Sequence, residues 1–461
     1  NMLTTQIEGR MKSTRANHGR SVKLLGVMSL VSAFALLTMP SMPSMHRTLA
    51  EGVVVFSHTY WGKYWEDIFA APFTNIYDGS GDRSASLPHD PNNVGYVLTL
   101  TSCPGDSYNT GDEGADYDPG HSFYDAAAVL KYSICRYSYA DDSRYNATMY
   151  ALVHPDAVKC KDPNGQDYDR VEVLQELGYH VSIVGSQIYD RMLQDPFVKE
   201  NLPIDSGERD FMRLDALSMD NHPIVVSVDF RTFVIQNLDS DFDSFLNSNE
   251  QMRWSMDYPT NVPSTGSNLG PNLHWIMMRP NRDLEAAIIA KYAATSYTTT
   301  WGWNNQGVKD FEGVLGIKGF LMHYYNRIDV GKLGILQRCY FGNDNSNPMD
   351  QDQSGSTICR DHTDCQDCRA VSFDRIKVLK MMDTCGKPWE CSYDDTWEPT
   401  AKVQCENYHR AWFEARKNFE DSYWQNGIPS FHNGTFHPNV FLGYCNCAGQ
   451  ACYDRMIDDK A

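Results

Sequence analysis

The feature that most constrains the fold is an alternation of short β-rich apolar runs with segments of helical spacing between residues 94 and 300. The apolar runs are short, as buried strands are, and the segments between them repeat apolar residues every three or four positions. The alternation predicts an α/β domain whose mostly parallel sheet is covered by helices on both faces. The predicted strands are 96–101, 149–153, 180–184, 224–228 and 273–278, and the predicted helices are 123–134, 171–178, 211–217 and 281–292.

One carboxylate stands where such a domain binds its ligand. Asp229 directly follows the predicted strand 224–228. Ligands of open parallel sheets bind beyond the carboxyl ends of the strands. Asp229 is therefore the first candidate site residue, and a structural cap at the strand end is the alternative interpretation.

The N-terminal part predicts entry into the secretory pathway. A basic flank over 1–23 precedes an uncharged, mostly apolar stretch over 24–39. This pattern fits the core of a cleaved signal peptide or a short signal anchor, and both remain open. The expected location is the lumen of the Golgi or the endoplasmic reticulum, as a single-pass type II membrane protein or a secreted one. Asn146 and Asn433 begin sequons that would accept N-glycans there.

Cysteine usage agrees with an oxidising compartment. The chain has 13 cysteines, most of them in its last third. A cluster of this kind in the lumen predicts a disulfide-rich C-terminal extension. A zinc site in the spacing Cys359-x5-Cys365-x2-Cys368 is the alternative. Cys103 and Cys135, which lie in the α/β region, are predicted to be free thiols.

The charge of the chain excludes one class of partner. The formal net charge is −19 and the isoelectric point is about 5.1. Nucleic-acid binding needs concentrated Lys and Arg, so we expect no nucleic-acid partner. The acidic cluster Asp239, Asp241 and Asp243 is predicted to be solvated.

Several short motifs occur in one order along the chain. They are 96–102, 152–155 with 174–179, Arg213-Leu214, 232–239, Asn272 with 277–280, and Lys387-Pro388-Trp389. Taken together they resemble glycosyltransferase family eight, whose best-known member is glycogenin, over about residues 94–390. The run Trp301-Gly302-Trp303-Asn304 resembles a Gly-Trp-Asn loop of the algal-type members.

The resemblance implies a GT-A (Rossmann-like) fold, a UDP-sugar donor, Mn²⁺, a glycan or glycoprotein acceptor, and hexosyl transfer with retention of configuration. It implies catalytic roles for Arg213 and Asn272. The positions it implies for binding the nucleotide sugar are Leu100, Ser102, Asp229, Phe230, Arg231 and Lys387. The expected segments are 1–23 in the cytosol or as n-region, 24–39 as signal core or anchor, 40–93 as stem, 94–390 as glycosyltransferase domain and 391–461 as C-terminal extension.

The metal motif departs from the family pattern. The family's Asp-x-Asp reads Asp229-Phe230-Arg231, and Met381 stands where the family has a histidine ligand. A guanidinium and a thioether are poor ligands for manganese, which leaves Asp229 as a weak metal ligand. A local shift of the alignment, with Asp239 or Asp241 serving the metal, is a further possibility.

Two interpretations of the altered motif remain open. In the first, Arg231 and Lys387, together with Arg213, neutralise the diphosphate directly. In the second, the site has decayed, and the domain is a non-catalytic lectin-like or scaffold protein. An unrelated secreted cysteine-rich binding protein is the third class of reading.

Overall fold

The structure is a computed structural model, and it describes only part of the chain. The described residues are 55–56, 90–103, 120–138, 143–161, 167–186, 188, 192–205, 207–257, 270–305, 315–343, 349–351, 357–359, 367–381, 385–386, 388 and 399–426. The predicted signal or anchor segment, Lys387 and Asn433 lie outside them. No helix in the described part of the chain is both long and apolar enough to cross a bilayer.

The described residues build one central eight-stranded sheet. Its strands are β1 (Val55–Phe56), β2 (Asn93–Leu100), β3 (Asn146–Val153), β4 (His180–Val184), β5 (Val225–Val228), β6 (Met252–Asp257), β7 (Gly270–Met278) and β8 (Leu333–Leu336). Their order across the sheet is β1-β4-β3-β2-β5-β7-β6-β8. Only β7 runs antiparallel to its neighbours in this sheet, so the prediction of a mostly parallel α/β sheet is confirmed.

Helices cover both faces of the sheet. They are α1 (Gly120–Ser138), α2 (Arg170–Glu176), α3 (Pro196–Asp205), α4 (Asp239–Leu246), α5 (Arg282–Ala294), α6 (Ile317–His323) and α7 (Pro399–Asn426), with a 3₁₀ segment over Glu208–Ser218. Leu98 of β2 packs in the core on the side of α1, α2 and α4. The adjacent Val97 packs on the opposite side with the 3₁₀ segment, α5 and α6. This alternation follows from the two-residue period of a strand.

Local signals explain where the helices begin and end. The Asp169 carboxylate accepts hydrogen bonds from the backbone N–H groups of Val171 and Glu172, which caps α2. The chain leaves α2 through Gly178, whose φ of 75° suits glycine. Asn281 caps α5 in the same way, through the N–H of Leu284 at 3.1 Å.

The C-terminal helix packs on the outside of α1. Tyr408, Trp412 and Phe413 of α7 join a core cluster that includes Ala126 and Val129 of α1. A three-stranded sheet lies beside this cluster and consists of Thr232–Val234, Phe341–Asn343 and Val378–Lys380. Two-stranded hairpins complete the described strands; they are Lys159–Lys161 with Asp167–Asp169, Tyr297–Thr298 with Gly302–Trp303, and Met349–Gln351 with Thr357–Cys359.

Three disulfides occur among the described residues. Cys339 is bonded to Cys368 and Cys385 to Cys405, as the cysteine cluster predicts. The third disulfide joins Cys103 to Cys160, so the prediction that Cys103 is a free thiol is wrong. Spacing along the chain could not reveal this pair because the partners are 57 residues apart. Cys135 is a free thiol, as predicted, and its side chain is buried.

The acidic cluster of α4 holds neighbouring segments and is not simply solvated, so that prediction is wrong. The buried Asp239 accepts from the backbone N–H of Arg144 at 2.7 Å and from the Ser143 hydroxyl at 3.1 Å. Asp241 pairs with the Lys377 ammonium at 2.5 Å. Asp243 accepts from the Tyr145 hydroxyl at 2.8 Å. These contacts also occupy the carboxylates that a shifted metal motif would need.

A buried carboxyl group lies where α5 meets the 3₁₀ segment. Glu285 is buried and accepts a hydrogen bond from the Ser218 hydroxyl. Burial raises the pKa of Glu285 to about 7, against the hydrogen bond from Ser218, the charge of Arg282 and a hydrogen bond with Asp215, which all lower it.

This raised pKa predicts a pH-dependent stability. The ordinary pKa of this carboxyl group is 4.5, below its pKa in the folded protein. The folded state is therefore most stable below pH 4.5, where the group is protonated in both states. This contribution to stability is lost as the pH rises to about 7. Over that range the group should cost about 3 kcal/mol of folding free energy. Glu285→Gln, which carries no titrating proton, should remove this part of the pH dependence in urea unfolding between pH 4.5 and 8. Glu172→Gln, at an exposed position in the first turn of α2, is the matched control. Equal pH slopes in the wild type and Glu285→Gln would contradict the assignment.

Candidate functional site

The candidate site lies at the carboxyl end of β5, in the middle of the sheet. Asp229 follows β5 directly, and β5 lies between β2 and β7. Trp275 of β7 is paired with Val228, so the first residues of the antiparallel β7 come to the same edge. This register brings His274 beside Asp229.

Asp229 and Arg231 form a buried ion pair at this edge. The Asp229 Oδ1 atom accepts from the Arg231 backbone N–H at 2.8 Å and from its Nε at 3.1 Å. Arg231 Nη2 lies 3.5 Å from Asp229 Oδ2. The side chains are only 3% and 5% exposed, so water screens the pair little. The guanidinium therefore occupies both oxygens of the carboxylate.

Electrostatics identify Arg231 as the group that neutralises Asp229. Burial would raise the pKa of Asp229. The charge of Arg231, and to a smaller extent the neighbouring His274, hold that pKa well below its ordinary value. Burial and the charges of Lys380 and Arg231 lower the pKa of His274 to about 3. His274 is then neutral at pH 7, and we assign the neutralising charge to Arg231.

His274 is held by its backbone more than by its ring. Its N–H donates to Asn272 Oδ1 at 3.0 Å, and its carbonyl accepts from the Thr232 hydroxyl at 2.9 Å. The ring atom Nδ1 is 3.4 Å from Asp229 Oδ1 and makes no well-formed hydrogen bond. Asn272 therefore positions His274.

A close backbone approach fixes the other side of Asn272. Gly342 has a φ of 78°, and a Cβ atom there would lie 2.4 Å from Asn272 Nδ2. Only glycine fits this conformation and this distance. The amide of Asn272 is thus confined between Gly342 and the β7 backbone.

The described residues at this edge do not fit a manganese site. The one carboxylate of the motif is paired with Arg231, and Met381 is fully buried with its N–H donating to the Arg231 carbonyl at 2.8 Å. Among the described residues there is no group of three or more His, Cys, Asp or Glu side chains that could hold a metal ion. Manganese prefers carboxylate and imidazole ligands, and neither replacement supplies one.

Cationic side chains surround this edge instead. Arg213 is buried on the 3₁₀ segment, and its Nη1 lies 3.4 Å from the Leu273 carbonyl. Lys380 is buried, and its strand pairs with Thr232 next to Arg231. Arg213 and Lys380 thus lie on segments that flank the Asp229–Arg231 pair.

The ends of β2 and β3 form the adjoining part of the edge. Leu100 and Ser102 are buried, and the Ser102 carbonyl accepts from Arg170 Nη1 at 3.0 Å. Arg209 Nη1 donates to the Thr101 carbonyl at 3.1 Å. Two residues after Thr101, Cys103 forms the disulfide with Cys160. The segment predicted to contact the nucleotide is therefore held by two guanidinium groups and a disulfide.

The structure brings most of the predicted site residues together. Asp229, Arg231, Arg213 and Asn272 meet around the start of β7, and Phe230 between them is half-buried. Asn146 is exposed at the opposite edge, where β3 begins beside Asn93. Lys387 lies outside the described residues.

Sequence reasoning missed other members of the site. Arg170, Arg209 and Lys380 carry no local motif, because each reaches the edge through the folding of a separate segment. Gly342 could have been suspected as a close-approach glycine, but its neighbour Asn272 is 70 positions away in the sequence.

Comparison with known proteins gives structural likenesses only. No protein-family model matches the chain, and no curated protein matches it. The glycosyltransferase GlyE of Streptococcus pneumoniae TIGR4 is similar at a TM-score of 0.35 and 10% identity, over 75% of this chain and 66% of that one. The galactosyltransferase LgtC has a TM-score of 0.35 and 10% identity, over 71% and 95%. Mouse xyloside xylosyltransferase 1 has a TM-score of 0.31 and 9% identity, over 63% and 98%.

Proposed function

We propose that the protein is a glycosyltransferase that uses a UDP-sugar donor and neutralises the diphosphate with cationic side chains in place of a metal ion. The observation that carries the proposal is the buried Asp229–Arg231 pair at the carboxyl end of β5. This is the edge where open α/β sheets bind their ligands. The ordered motifs that resemble family eight support a nucleotide sugar as the ligand.

Four cationic side chains have proposed roles toward the donor. A guanidinium binds phosphate oxygens in a fork, and Asp229 fixes the orientation of the Arg231 fork. Arg213 and Lys380 add positive charge around the start of β7. Lys387 of the Lys-Pro-Trp motif is proposed to join them.

The proposed reaction is hexosyl transfer with retention of configuration to a glycan or glycoprotein. The bond between the anomeric carbon and the diphosphate oxygen breaks, and its electron pair remains on the diphosphate. The acceptor hydroxyl forms the new bond on the same face of the sugar, and its proton passes to the diphosphate. Fixed cations stabilise the charge that develops on the leaving group.

We also propose that the protein works in the lumen of the Golgi or the endoplasmic reticulum, anchored or secreted. The disulfides between Cys103 and Cys160, Cys339 and Cys368, and Cys385 and Cys405 support an oxidising compartment.

A second candidate is a non-catalytic, lectin-like or scaffold protein on the same fold. The observation that favours it is the burial of Arg231, whose guanidinium is already paired with Asp229. A buried ion pair of this kind can serve the fold alone.

Release of UDP separates the two candidates. The protein should release UDP from UDP-glucose, UDP-galactose or UDP-N-acetylglucosamine in the presence of EDTA. Arg231→Lys, which keeps the charge but loses the fork, should lower this rate by at least about tenfold. Absence of release from all three donors, with and without Mn²⁺, would retire the enzyme and leave the lectin-like candidate.

A further inference from the structure

The side chain of Trp301 is exposed to solvent. Trp301 is 59% accessible, whereas Trp254, Trp275, Trp303 and Trp412 are buried. Trp301 lies in the turn of the hairpin formed by Tyr297–Thr298 and Gly302–Trp303. Exposing so large an apolar ring has a cost in water that a ligand would remove.

Hydrogen bonds and ring packing fix the backbone that carries this indole. The backbone N–H of Trp301 donates to the Thr298 hydroxyl at 3.1 Å, and that hydroxyl donates to Asn305 Oδ1 at 3.2 Å. Below the turn, the buried Trp303 packs edge-on against Tyr297, with ring centroids 5.0 Å apart. Trp303 also packs against Phe320 of α6 at 5.1 Å.

The backbone after the indole is strained. Asn304 and Asn305 have φ values of 50° and 56° and are the non-glycine residues with positive φ in the described chain. Such conformations persist where the surroundings enforce them, and they cluster at binding sites. The Asn304 N–H is fixed by the Ser296 carbonyl at 2.8 Å.

Packing contacts connect the hairpin to the candidate site. The ring of Trp303 packs against Tyr292 near the end of α5, with ring centroids 5.2 Å apart. Tyr292 packs in turn against Phe211 of the 3₁₀ segment, with centroids 4.3 Å apart. Two residues later in that segment, Arg213 reaches the Leu273 carbonyl beside His274. The hairpin is therefore linked to the edge of the sheet that carries Asp229.

The surroundings of Trp301 select the chemistry of its ligand. The exposed side chains that flank Trp301 along the hairpin are polar, namely Thr299, Thr300, Asn304 and Asn305. The exposed apolar ring of Phe197 stacks on Tyr297, with ring centroids 5.7 Å apart. A protein partner usually docks on a contiguous apolar patch larger than a few hundred Å². A pyranose ring, in contrast, presents one apolar C–H face bordered by hydroxyl groups, which matches a single indole bordered by hydroxyls and amides.

We propose that the hairpin Tyr297–Asn305 is a glycan-binding platform, on which Trp301 stacks against a sugar ring of the acceptor. The role as acceptor platform rests on the proposed function, whereas glycan binding itself does not. The platform would hold a sugar near the edge that carries Asp229 and so restrict the acceptor to oligosaccharides.

Binding of three oligosaccharides tests this proposal. Maltoheptaose, mannopentaose and xylohexaose are titrated into the whole protein without UDP and followed by calorimetry and by saturation-transfer NMR. At least one should bind, and Trp301→Ala should weaken that binding by about tenfold or more, the scale of a lost aromatic contact. Trp301→Tyr, which keeps a ring, should retain most of it. Ile335→Ala removes an apolar side chain of similar exposure (57%) on β8 and should have no effect.

The outcomes separate this proposal from the proposed transferase. Binding that depends on Trp301, together with no UDP binding, would support the platform and count against transfer. UDP binding with no saccharide bound, or with saccharides bound equally by Trp301→Ala, would overturn the platform alone. Binding to phosphatidylcholine vesicles that requires Trp301, without saccharide binding, would also overturn it in favour of a membrane contact.

Discussion

Replacing Arg231 by alanine should destabilise the domain by about 3–5 kcal/mol, because it leaves the Asp229 carboxylate buried without its partner. Asp229 is 3% exposed, so water cannot replace the guanidinium as the partner of its carboxylate. The loss is a large part of a typical folding free energy of about 5–15 kcal/mol. Urea unfolding at pH 7 measures it directly.

The exposed pair of Arg144 with Asp243 provides the matched control. Arg144 is 61% exposed in its side chain, so Arg144→Ala should change stability much less. The double variant Asp229→Asn with Arg231→Ala should recover part of the loss, since it removes the unpaired charge as well. If Arg231→Ala unfolds at the same urea concentration as Arg144→Ala, the buried pair is not the anchor of this edge.

Removing the Cys103–Cys160 disulfide should cost about 4 kcal/mol, because it closes a loop of 57 residues in the unfolded chain. The double variant Cys103→Ala with Cys160→Ala is compared with the wild type by urea unfolding without reductant. We also expect weaker nucleotide binding, since Cys103 directly follows Ser102 at the end of β2.

Cys135→Ala controls for the loss of a cysteine as such. Cys135 is buried, and burial raises the pKa of its thiol to about 11, so it stays protonated and unreactive at pH 7. This variant loses only a small side chain, and we expect a cost of about 1 kcal/mol. An unfolding midpoint of the Cys103 and Cys160 double variant equal to that of Cys135→Ala would show that the disulfide contributes nothing.

The parts of the fold that local sequence determines were predicted well. The strand ending at Asp229 was recognised from its apolar run, and the ends of two helices from Gly178 and Asn281. Strands β6 and β8 were missed. β6 carries Arg253 and Asp257 among its apolar residues, and β8 has only four residues with a glycine among them. Their strand conformation depends on pairing with β7 and with each other, which no local pattern contains.

The chemistry of the site was predicted only in part, for a related reason. The substitution at Arg231 was visible in the motif, and the weak metal site that it predicts stays a prediction. The contact of His274 with Asp229 depends on the register between β5 and β7, and the charge of Lys380 arrives from a strand about 150 positions later in the chain. Contacts between distant segments follow from the fold and could not be derived from residue spacing.

Calorimetric titration of UDP in buffer with Mn²⁺ and in buffer with EDTA tests whether Arg231 replaces the metal ion. We expect dissociation constants that agree within about threefold in the two buffers, and a loss of affinity of about ten- to a hundredfold for Arg231→Lys in both. Loss of UDP binding to the unmodified protein on chelation would contradict it, as would the absence of UDP binding in either buffer.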